Sequence, residues 1–363
     1  MSASLPVTPL EGTLEGPLAT VTATAGARDA EPEPRFPESA IATLEAAGAL
    51  AFNAVAGDSR PPAAAELALV RSVAQADGSV GRIFDGHLNA VERLAVQGPA
   101  DLVAAELDAV RTGDLRGGVW GGDPVPGEGE PAAVLGRGRR AVLRGVKTFC
   151  SGAGGLHRAL VLARSETGGP PLSVWVDLLH HGVEVDTSWY RSHGLRASVS
   201  HRVVFHDVPV LATLGEPGAI STQPWFGRDA LRTAASWAGM ADAAVGAALG
   251  ELAGRSTRGP LESLAAGHIL TAHRTISVWM DAAARAMDTS SADLPAVALH
   301  GRAAIADACR SLLDQAARAC GSRPFAHGGT LDRARRDLEV FLLQHRLDPL
   351  LARAGESILG RRM

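Results

Sequence analysis

The residue whose type and position best suit it to catalysis is His345, near the C-terminal end of the chain. It follows Phe341 by four residues and Leu342 by three, so it extends the apolar stripe of a predicted helix. Pro349 comes about one turn later and should end or kink that helix. We therefore expect the imidazole to face inward near a helix end. A histidine there could act as a general acid or base near neutral pH, or it could be a hydrogen-bonded core residue.

A second candidate region is the segment Leu143–Gly152, which reads Leu-Arg-Gly-Val-Lys-Thr-Phe-Cys-Ser-Gly. The segment places an aromatic ring, Phe149, and a hydroxyl, Ser151, on either side of Cys150 at the end of a predicted strand. It also holds Lys147, the only lysine among the 35 basic residues. A site that needs a compact ammonium group would explain a single lysine, and so would chance. No His–Asp set accompanies the cysteine, which favours a packing role over a nucleophilic one.

The overall composition restricts the class of protein. The chain has 363 residues, of which 46% are hydrophobic and 20% charged, with a formal charge of −4. These values are typical of globular proteins, and the negative charge disfavours nucleic-acid binding. Cys150, Cys309 and Cys320 are too few for a disulfide framework and lack metal-ligand spacing, so we expect reduced thiols and no metal site. No stretch reaches the roughly 20 apolar residues that cross a bilayer, and the first arginine is Arg28, so we expect a cytoplasmic protein that binds no membrane.

The hydrophobic pattern divides the chain into four segments. Residues 1–34 are rich in Pro, Thr, Ala and Gly without periodicity, which predicts a disordered tail. Residues 35–115 carry apolar residues at helical spacing, which predicts an N-terminal helical domain. Residues 116–213 contain short β-like runs separated by Gly and Pro, which predicts a middle β-barrel-like domain. Residues 214–363 contain four apolar stripes rich in small residues, which predicts a C-terminal four-helix bundle. The predicted fold class is mainly α with a central β domain.

Three motifs in this order resemble the acyl-CoA dehydrogenase superfamily. In Leu143–Gly152, a Gly-x-Lys is followed by an aromatic residue and then a hydroxyl residue, as in the flavin strand of that family. Residues 194–218 resemble its exit from the β domain, with a Gly-x-Arg-x-Ser stretch and a Phe-x-Asp-Val-x-Val strand end. Leu331–Asp337 is similar to its late Leu-x-Arg-x-x-Arg-Asp signature. The resemblance spans most of residues 118–355 and implies a homodimer or homotetramer of an acyl-CoA dehydrogenase-like fold.

The resemblance also implies a flavin between the β domain and the bundle. FAD is the expected cofactor and FMN the alternative. Phe149, Cys150 and Ser151 would lie against the ring, and Trp120 would stack beside it. Because a reduced flavin carries charge near N1 and N5, polar groups must meet those atoms while an apolar wall covers the ring.

Departures from the family pattern leave three functions open. The catalytic Glu of many family members stands nine residues after the arginine that matches Arg336, and His345 occupies that position here. The usual Thr-Glu-Pro stretch reads Val119-Trp-Gly-Gly-Asp-Pro124, and the helix segment that grips the adenine of FAD is faint at Arg255–Leu264.

The first function is removal of two hydrogens from an acyl-CoA-like thioester, with His345 as base. The second is a two-component monooxygenase that receives reduced flavin from a partner reductase and acts on a small aromatic molecule. The third is a non-catalytic relative that serves as a binding or assembly subunit.

Overall fold

A computed structural model describes residues 14–55, 60–256, 259–289, 291–344 and 346–360. An N-terminal group of helices leads into a β-barrel-like domain, and long helices follow. The fold class predicted from the sequence is confirmed. The N-terminal helices are α1 (Glu15–Ala30), α2 (Glu38–Ala46), α3 (Ala63–Ala76), α4 (Gly78–Gln97) and α5 (Ala100–Thr112).

The prediction of a disordered tail over residues 1–34 is wrong for its described part. Helix α1 occupies Glu15–Ala30 and buries Val21 and Ala25. The Arg28 guanidinium donates to the Asp77 carboxylate at 3.1 and 2.8 Å and ties the helix to the start of α4. A long-range contact of this kind outweighs the weak helical propensity of a Thr- and Gly-containing segment. Residues 1–13 of the predicted tail lie outside the described residues.

The middle of the chain forms a seven-stranded sheet that closes on itself. The path runs β1-β4-β2-β3-β7-β5, β5 also pairs with β4, and β6 adds to β7. This ring of pairings gives the barrel-like domain predicted from the closely spaced turn signals. The strands are β1 (Gly117–Trp120), β2 (Ala133–Leu135), β3 (Val142–Cys150), β4 (Arg158–Ser165), β5 (Leu172–Asp177), β6 (Val183–Asp186) and β7 (His201–Thr213).

Strand β3 pairs antiparallel with β7, and its register shifts between Lys147 and Cys150. A bulge inserts an extra residue into one strand and re-aims the side chains around it. The extra length falls at Phe149, whose φ of 54° lies in the left-handed region. The motif singled out in the sequence therefore sits at an irregular strand end.

The C-terminal part is dominated by helices whose buried faces match the predicted apolar stripes. They are α6 (Trp225–Ala253), α7 (Pro260–Asp288), α8 (Leu294–Ala296), α9 (Arg302–Cys320), α10 (Arg323–Ala326), α11 (Thr330–Phe341) and α12 (Asp348–Gly360).

Helix α6 lies at the centre of the bundle and packs on α3, α7, α9 and α11. Gly239 lets α6 approach α3 closely, because a Cβ at this position would overlap the carbonyl oxygen of Arg71. A single π-helical turn, Val297–Gly301, joins α8 to α9.

The helix expected to run towards Pro349 is shorter than predicted. Helix α11 ends at Phe341, and Pro349 lies in the first turn of α12. Proline is favoured in a first turn, where its missing N–H costs no hydrogen bond. In the ranges given above, no helix combines the length and apolarity that a membrane span requires.

Candidate active site

A cavity of about 640 Å³ opens where the barrel meets α4, α6, α9 and the end of α11. A volume of this size is typical of sites for cofactors and small molecules. The barrel side supplies Val119, Gly121, Gly122, Phe149, Ser151, Leu162, Tyr190, Leu195 and Ser200, and the turn before α6 supplies Ile220. The helical side supplies Arg82, Gly86, Asn89, Phe226, Asp229, Ala230, Thr233, Arg302, Val340, Phe341, Leu343 and Gln344.

Phe149 projects from the bulge of β3 and is 61% exposed. Its ring meets Trp189 edge-on, with ring centroids 4.9 Å apart. The Trp189 indole is fixed in turn by its N–H, which donates to the Glu128 carboxylate at 3.0 Å. A non-glycine residue with positive φ costs free energy and persists where the surrounding structure imposes it. The pairing with Trp189 and the bulge together hold this aromatic ring at the cavity wall.

Ser151 lies at the end of a chain of three hydroxyl groups. Its Oγ is 2.9 Å from that of Ser200, which is 2.8 Å from that of Ser198. The Ser198 hydroxyl lies 2.7 Å from the carbonyl oxygen of Leu195, and only the hydroxyl can donate in that contact. Because each hydroxyl has one hydrogen, Ser200 must donate to Ser198, and Ser151 must donate to Ser200. Ser151 therefore presents lone pairs, a hydrogen-bond acceptor, to the cavity.

Trp120 and Cys150 do not line the cavity, although the sequence placed both against a ring. The Trp120 indole is 1% exposed, and its Nε1 donates to the carbonyl oxygen of Ser151 at 3.0 Å. Cys150 is fully buried in the core, and this burial raises the pKa of its thiol well above the ordinary value. The indole therefore positions Ser151, and the thiol serves packing.

The single lysine positions the loop that follows β1. The buried Lys147 Nζ donates to the Asp123 carboxylate at 2.7 Å and to the carbonyl oxygen of Gly121 at 3.3 Å. Gly121 and Gly122 line the cavity, and a Cβ on Gly122 would come within 2.5 Å of the Thr148 carbonyl oxygen. The lysine thus fixes this loop, and Gly122 lets it lie close to the β3 backbone.

The helical wall carries more charge than the barrel wall. Asp229 accepts hydrogen bonds from Arg93 at 2.9 and 2.6 Å and lies 3.3 Å from Arg232. Burial raises the pKa of Asp229 to about 7 against the opposing effect of these arginines. The buried Asp85 lies 3.5 Å from Arg82 and behind the cavity-lining side chains.

A square of buried ion pairs supports this wall from behind. Glu66 on α3 and Glu92 on α4 each contact both Arg228 and Arg232 of α6 at 2.6–2.8 Å. Burial acts to raise the pKa of Glu92, but the two guanidinium groups together hold it below its ordinary value. Arg232 also donates to Asn89 at 2.9 Å and so links the square to the cavity lining.

His345 lies outside the described residues, so its predicted role stays a prediction. Leu343 and Gln344, which precede it in the chain, both line the cavity. Throughout the described ranges, no three His, Cys, Asp or Glu side chains are grouped as metal ligands would be.

Sequence reasoning missed the polar residues of the helical wall. For Arg302 a signal existed, since it stands three residues before Ile305 and so begins the apolar stripe of α9 with a charge. A charged residue on the buried face of a helix calls for a partner or a function. Arg82 and Asp229 carried no comparable signal, because their places in the cavity depend on how α4 and α6 pack.

Comparisons with known proteins identify the fold. No protein-family model matches the chain, and no curated protein matches it. TdsC from Paenibacillus sp. A11-2, solved with FMN and indole, is similar over 98% of both chains at 19% identity, with a TM-score of 0.79. Another structure describes TdsC as a dibenzothiophene monooxygenase.

Two further solved structures are similar over almost the whole chain. The methanesulfinate monooxygenase MsuC from Pseudomonas fluorescens has a TM-score of 0.79 and 21% identity over 98% of both chains. A nitrososynthase from Micromonospora carbonacea var. africana has a TM-score of 0.80 and 20% identity over 97% of both chains. The chain therefore has the acyl-CoA dehydrogenase-like fold.

Proposed function

We propose that this chain is a flavin-dependent monooxygenase that receives reduced flavin, as FMN, from a partner reductase and oxidises a small molecule. The observation that carries the proposal is the acceptor presented by Ser151 in a cavity of about 640 Å³. The motif resemblance and the solved structures of similar fold support a flavin in this cavity. When bound, a reduced flavin supplies the electrons that activate oxygen.

The residues of the barrel wall fit a flat aromatic ring with a polar edge. Gly122 lets the loop after β1 lie close to the β3 backbone, and Gly121 lies against Leu162, which adds apolar surface. Ser151 and Ser200 supply polar atoms at one place along this otherwise apolar wall. Phe149 borders the same surface from the bulge.

The polarity of the hydroxyl chain favours the reduced form of the ring. A reduced flavin carries a hydrogen on N5, whereas the oxidised N5 is an acceptor. In the family resemblance, the hydroxyl that matches Ser151 lies near this atom. The Ser151 hydroxyl already donates its hydrogen to Ser200. It would therefore accept a hydrogen bond from a reduced N5–H, and its lone pairs would repel that of an oxidised N5. This argument favours a protein that takes up flavin already reduced.

The similar structures support the same choice among the functions that the sequence left open. Two of them are described as monooxygenases and one as a nitrososynthase, and TdsC was solved with FMN. His345, at the position of the family's Glu, remains the predicted acid or base, and the Phe149–Gly152 motif resembles the monooxygenase branch.

A direct test compares the two redox states of the cofactor. The purified chain is titrated anaerobically with oxidised and with photoreduced FMN, and binding is measured by flavin fluorescence and absorbance. We expect reduced FMN to bind about tenfold more tightly than oxidised FMN. The reduced N5–H would donate a hydrogen bond to Ser151, whereas the oxidised N5 would place its lone pair against those of the hydroxyl. Ser151→Ala should reduce this preference. Equal affinity for both states would contradict the argument from polarity, and failure to bind either would contradict a flavin-dependent function.

Turnover is tested separately by adding a general flavin reductase, NADH and oxygen, with indole as a trial substrate. Oxygenated product that requires the reductase supports the proposal, and His345→Ala should abolish it if the predicted role is correct. A chain that binds no flavin and forms no product would support the non-catalytic alternative.

Dehydrogenation of an acyl-CoA-like thioester is the second candidate function. One observation favours it: Asp229 lines the cavity, and its pKa near 7 would suit a general base. The test is anaerobic addition of butyryl-CoA to the chain loaded with FAD or FMN. If butyryl-CoA bleaches the flavin of the native chain but not that of Asp229→Asn, this function is established. An unchanged spectrum of the native chain would exclude it for this substrate.

A further inference from the structure

Arg302, at the start of α9, is buried in the cavity wall and has no polar partner among the residues that the structure describes. It is 4% exposed, and within that part of the chain its buried Nε and Nη2 atoms form no hydrogen bond. In the described part of the chain it forms no ion pair either. Its guanidinium makes a cation–π contact with the Trp237 ring, whose centroid lies 5.1 Å away. A stacked ring attracts the cation but accepts none of its N–H groups.

A buried guanidinium group that lacks hydrogen bonds destabilises the folded chain. Desolvation of a charged group without compensating hydrogen bonds is among the costliest features of a protein interior. Burial lowers the pKa of Arg302 to about 10, against the weaker effect of Asp85, so the group still carries its charge at neutral pH. Such costs are typical of positions that are kept for binding.

The local backbone also singles out this position. The π-helical turn Val297–Gly301 ends directly before Arg302. An inserted π turn rotates the residues that follow it, and such turns are frequent at functional sites. Arg302 is the first residue of α9 after this turn, and its side chain lines the cavity.

Nearby charges do not neutralise Arg302. Asp85, the carboxylate that acts on it, already lies 3.5 Å from Arg82 and accepts from Asn89 at 3.0 Å and Thr233 at 3.2 Å. Arg82 lines the same cavity and is likewise a cation. Two guanidinium groups therefore face one shared carboxylate, which leaves this end of the cavity positive.

We propose that Arg302 binds an oxyanion of the substrate, so that the enzyme acts on a small organic acid such as a carboxylate or sulfinate. The planar guanidinium fork matches such a group and can donate two hydrogen bonds to it. Phe226, Ala230 and Phe341 provide apolar surface for the rest of the molecule. The assignment of this molecule as substrate rests on the proposed monooxygenase function, but its binding can be measured without turnover.

The test compares two probes of similar shape, benzoate and benzyl alcohol, by ligand-observed NMR titration of the full chain without flavin and then with FMN. We expect benzoate to bind at least about tenfold more tightly, as a charge-assisted pair requires. Arg302→Met should remove this preference and leave benzyl alcohol binding unchanged. Arg310→Met is the matched control on the same helix, since Arg310 is exposed and pairs with Asp307 at the surface.

Thermal unfolding separates a binding role from a structural one. If Arg302 is kept for an anion, Arg302→Met should unfold at the same or a higher temperature than the native chain. A lower midpoint, together with loss of both probes, would show a structural role and overturn the proposal. If this variant does not fold, stabilisation of the native chain by benzoate but not by benzyl alcohol tests the same preference.

Two further outcomes would overturn the proposal. One is equal affinity of the native chain for the two probes. The other is a loss of FMN affinity in Arg302→Met with riboflavin affinity unchanged, which would assign the guanidinium to the flavin phosphate. Failure of the chain to bind any flavin would instead contradict the proposed function, and a retained benzoate preference would still establish the anion site.

Discussion

Replacing Glu66 by Gln should destabilise the chain far more than its side-chain volume suggests. The two Glu66 oxygens accept from Arg228 at 2.8 Å and from Arg232 at 2.6 Å, and all three side chains are buried. An amide would accept from one guanidinium and turn its NH₂ group towards the other. Glu92 alone would then face both arginines at close range.

The expected size of the effect follows from burial and chain length. Removing one partner of a buried pair costs about 3–5 kcal/mol. An unfolding entropy of about 2.1 cal/mol/K per residue amounts to roughly 0.8 kcal/mol/K for 363 residues, so the midpoint should fall by about 4–7 °C. Differential scanning calorimetry at pH 7 measures this shift directly.

Asp307→Asn is the matched control. Asp307 accepts from Arg310 at 2.8 Å, the same distance as the Glu66–Arg228 contact, but on the exposed surface of α9. An exposed pair contributes about 0.5 kcal/mol, so its loss should shift the midpoint by under about 1 °C. Equal shifts for the two variants would refute the argument that burial, and not distance, sets the strength of these pairs.

Other variants test the packing, titration and binding arguments. Gly239→Ala should destabilise the chain through overlap with Arg71, whereas Gly246→Ala on the same helix has open space around it and should stabilise by up to about 1 kcal/mol, as thermal unfolding would show. Burial raises the pKa of Asp337 to about 7, so the folded state holds this proton more tightly than the unfolded state, and its contribution to stability is full below about pH 4 and lost as the pH rises to 7. Asp337→Asn should therefore flatten the dependence of the midpoint on pH over this interval, and an unchanged slope would contradict it. Ser151→Ala should lower reductase-dependent turnover by about tenfold, measured by oxygen consumption, and unchanged turnover would remove the hydroxyl from the proposed site.

Local patterns in the sequence were sufficient to predict the main features of the fold. The barrel follows from short β-like runs between turn residues, and the bundle from stripes of small apolar residues, both of which depend on local spacing. Helix α1 was missed because its order depends on contacts such as Arg28 with Asp77, 49 residues away. Helix α12 is not predicted from the sequence, because Pro349 indicates the end of the preceding helix, although proline also suits a helix start.

The candidate site was predictable only on its barrel side. Phe149 and Ser151 belong to one contiguous motif, so a single stretch of sequence was enough to select them. The helical wall combines α4, α6 and α9, which are far apart in the chain, and its members Arg82 and Asp229 come together only through packing. The chain of hydroxyl groups that begins at Ser151 is likewise not predictable from the sequence, since its direction depends on the carbonyl oxygen of Leu195.

The contrast between Arg232 and Arg302 explains how one fold uses the same side chain for opposite purposes. Both guanidinium groups are buried in the bundle, and burial alone would lower the pKa of each. For Arg232 the effect of Glu66, Glu92 and nearby Asp229 outweighs burial and raises the pKa, whereas for Arg302 burial prevails. Arg232 thus joins α3, α4 and α6, and its charge is balanced within the protein by the buried carboxylates of Glu66 and Glu92. The ion-pair square already holds the helices together, so the fold tolerates the destabilising burial of Arg302 on α9. Binding of an anion to the free donors of Arg302 would remove this destabilisation and would therefore be favoured.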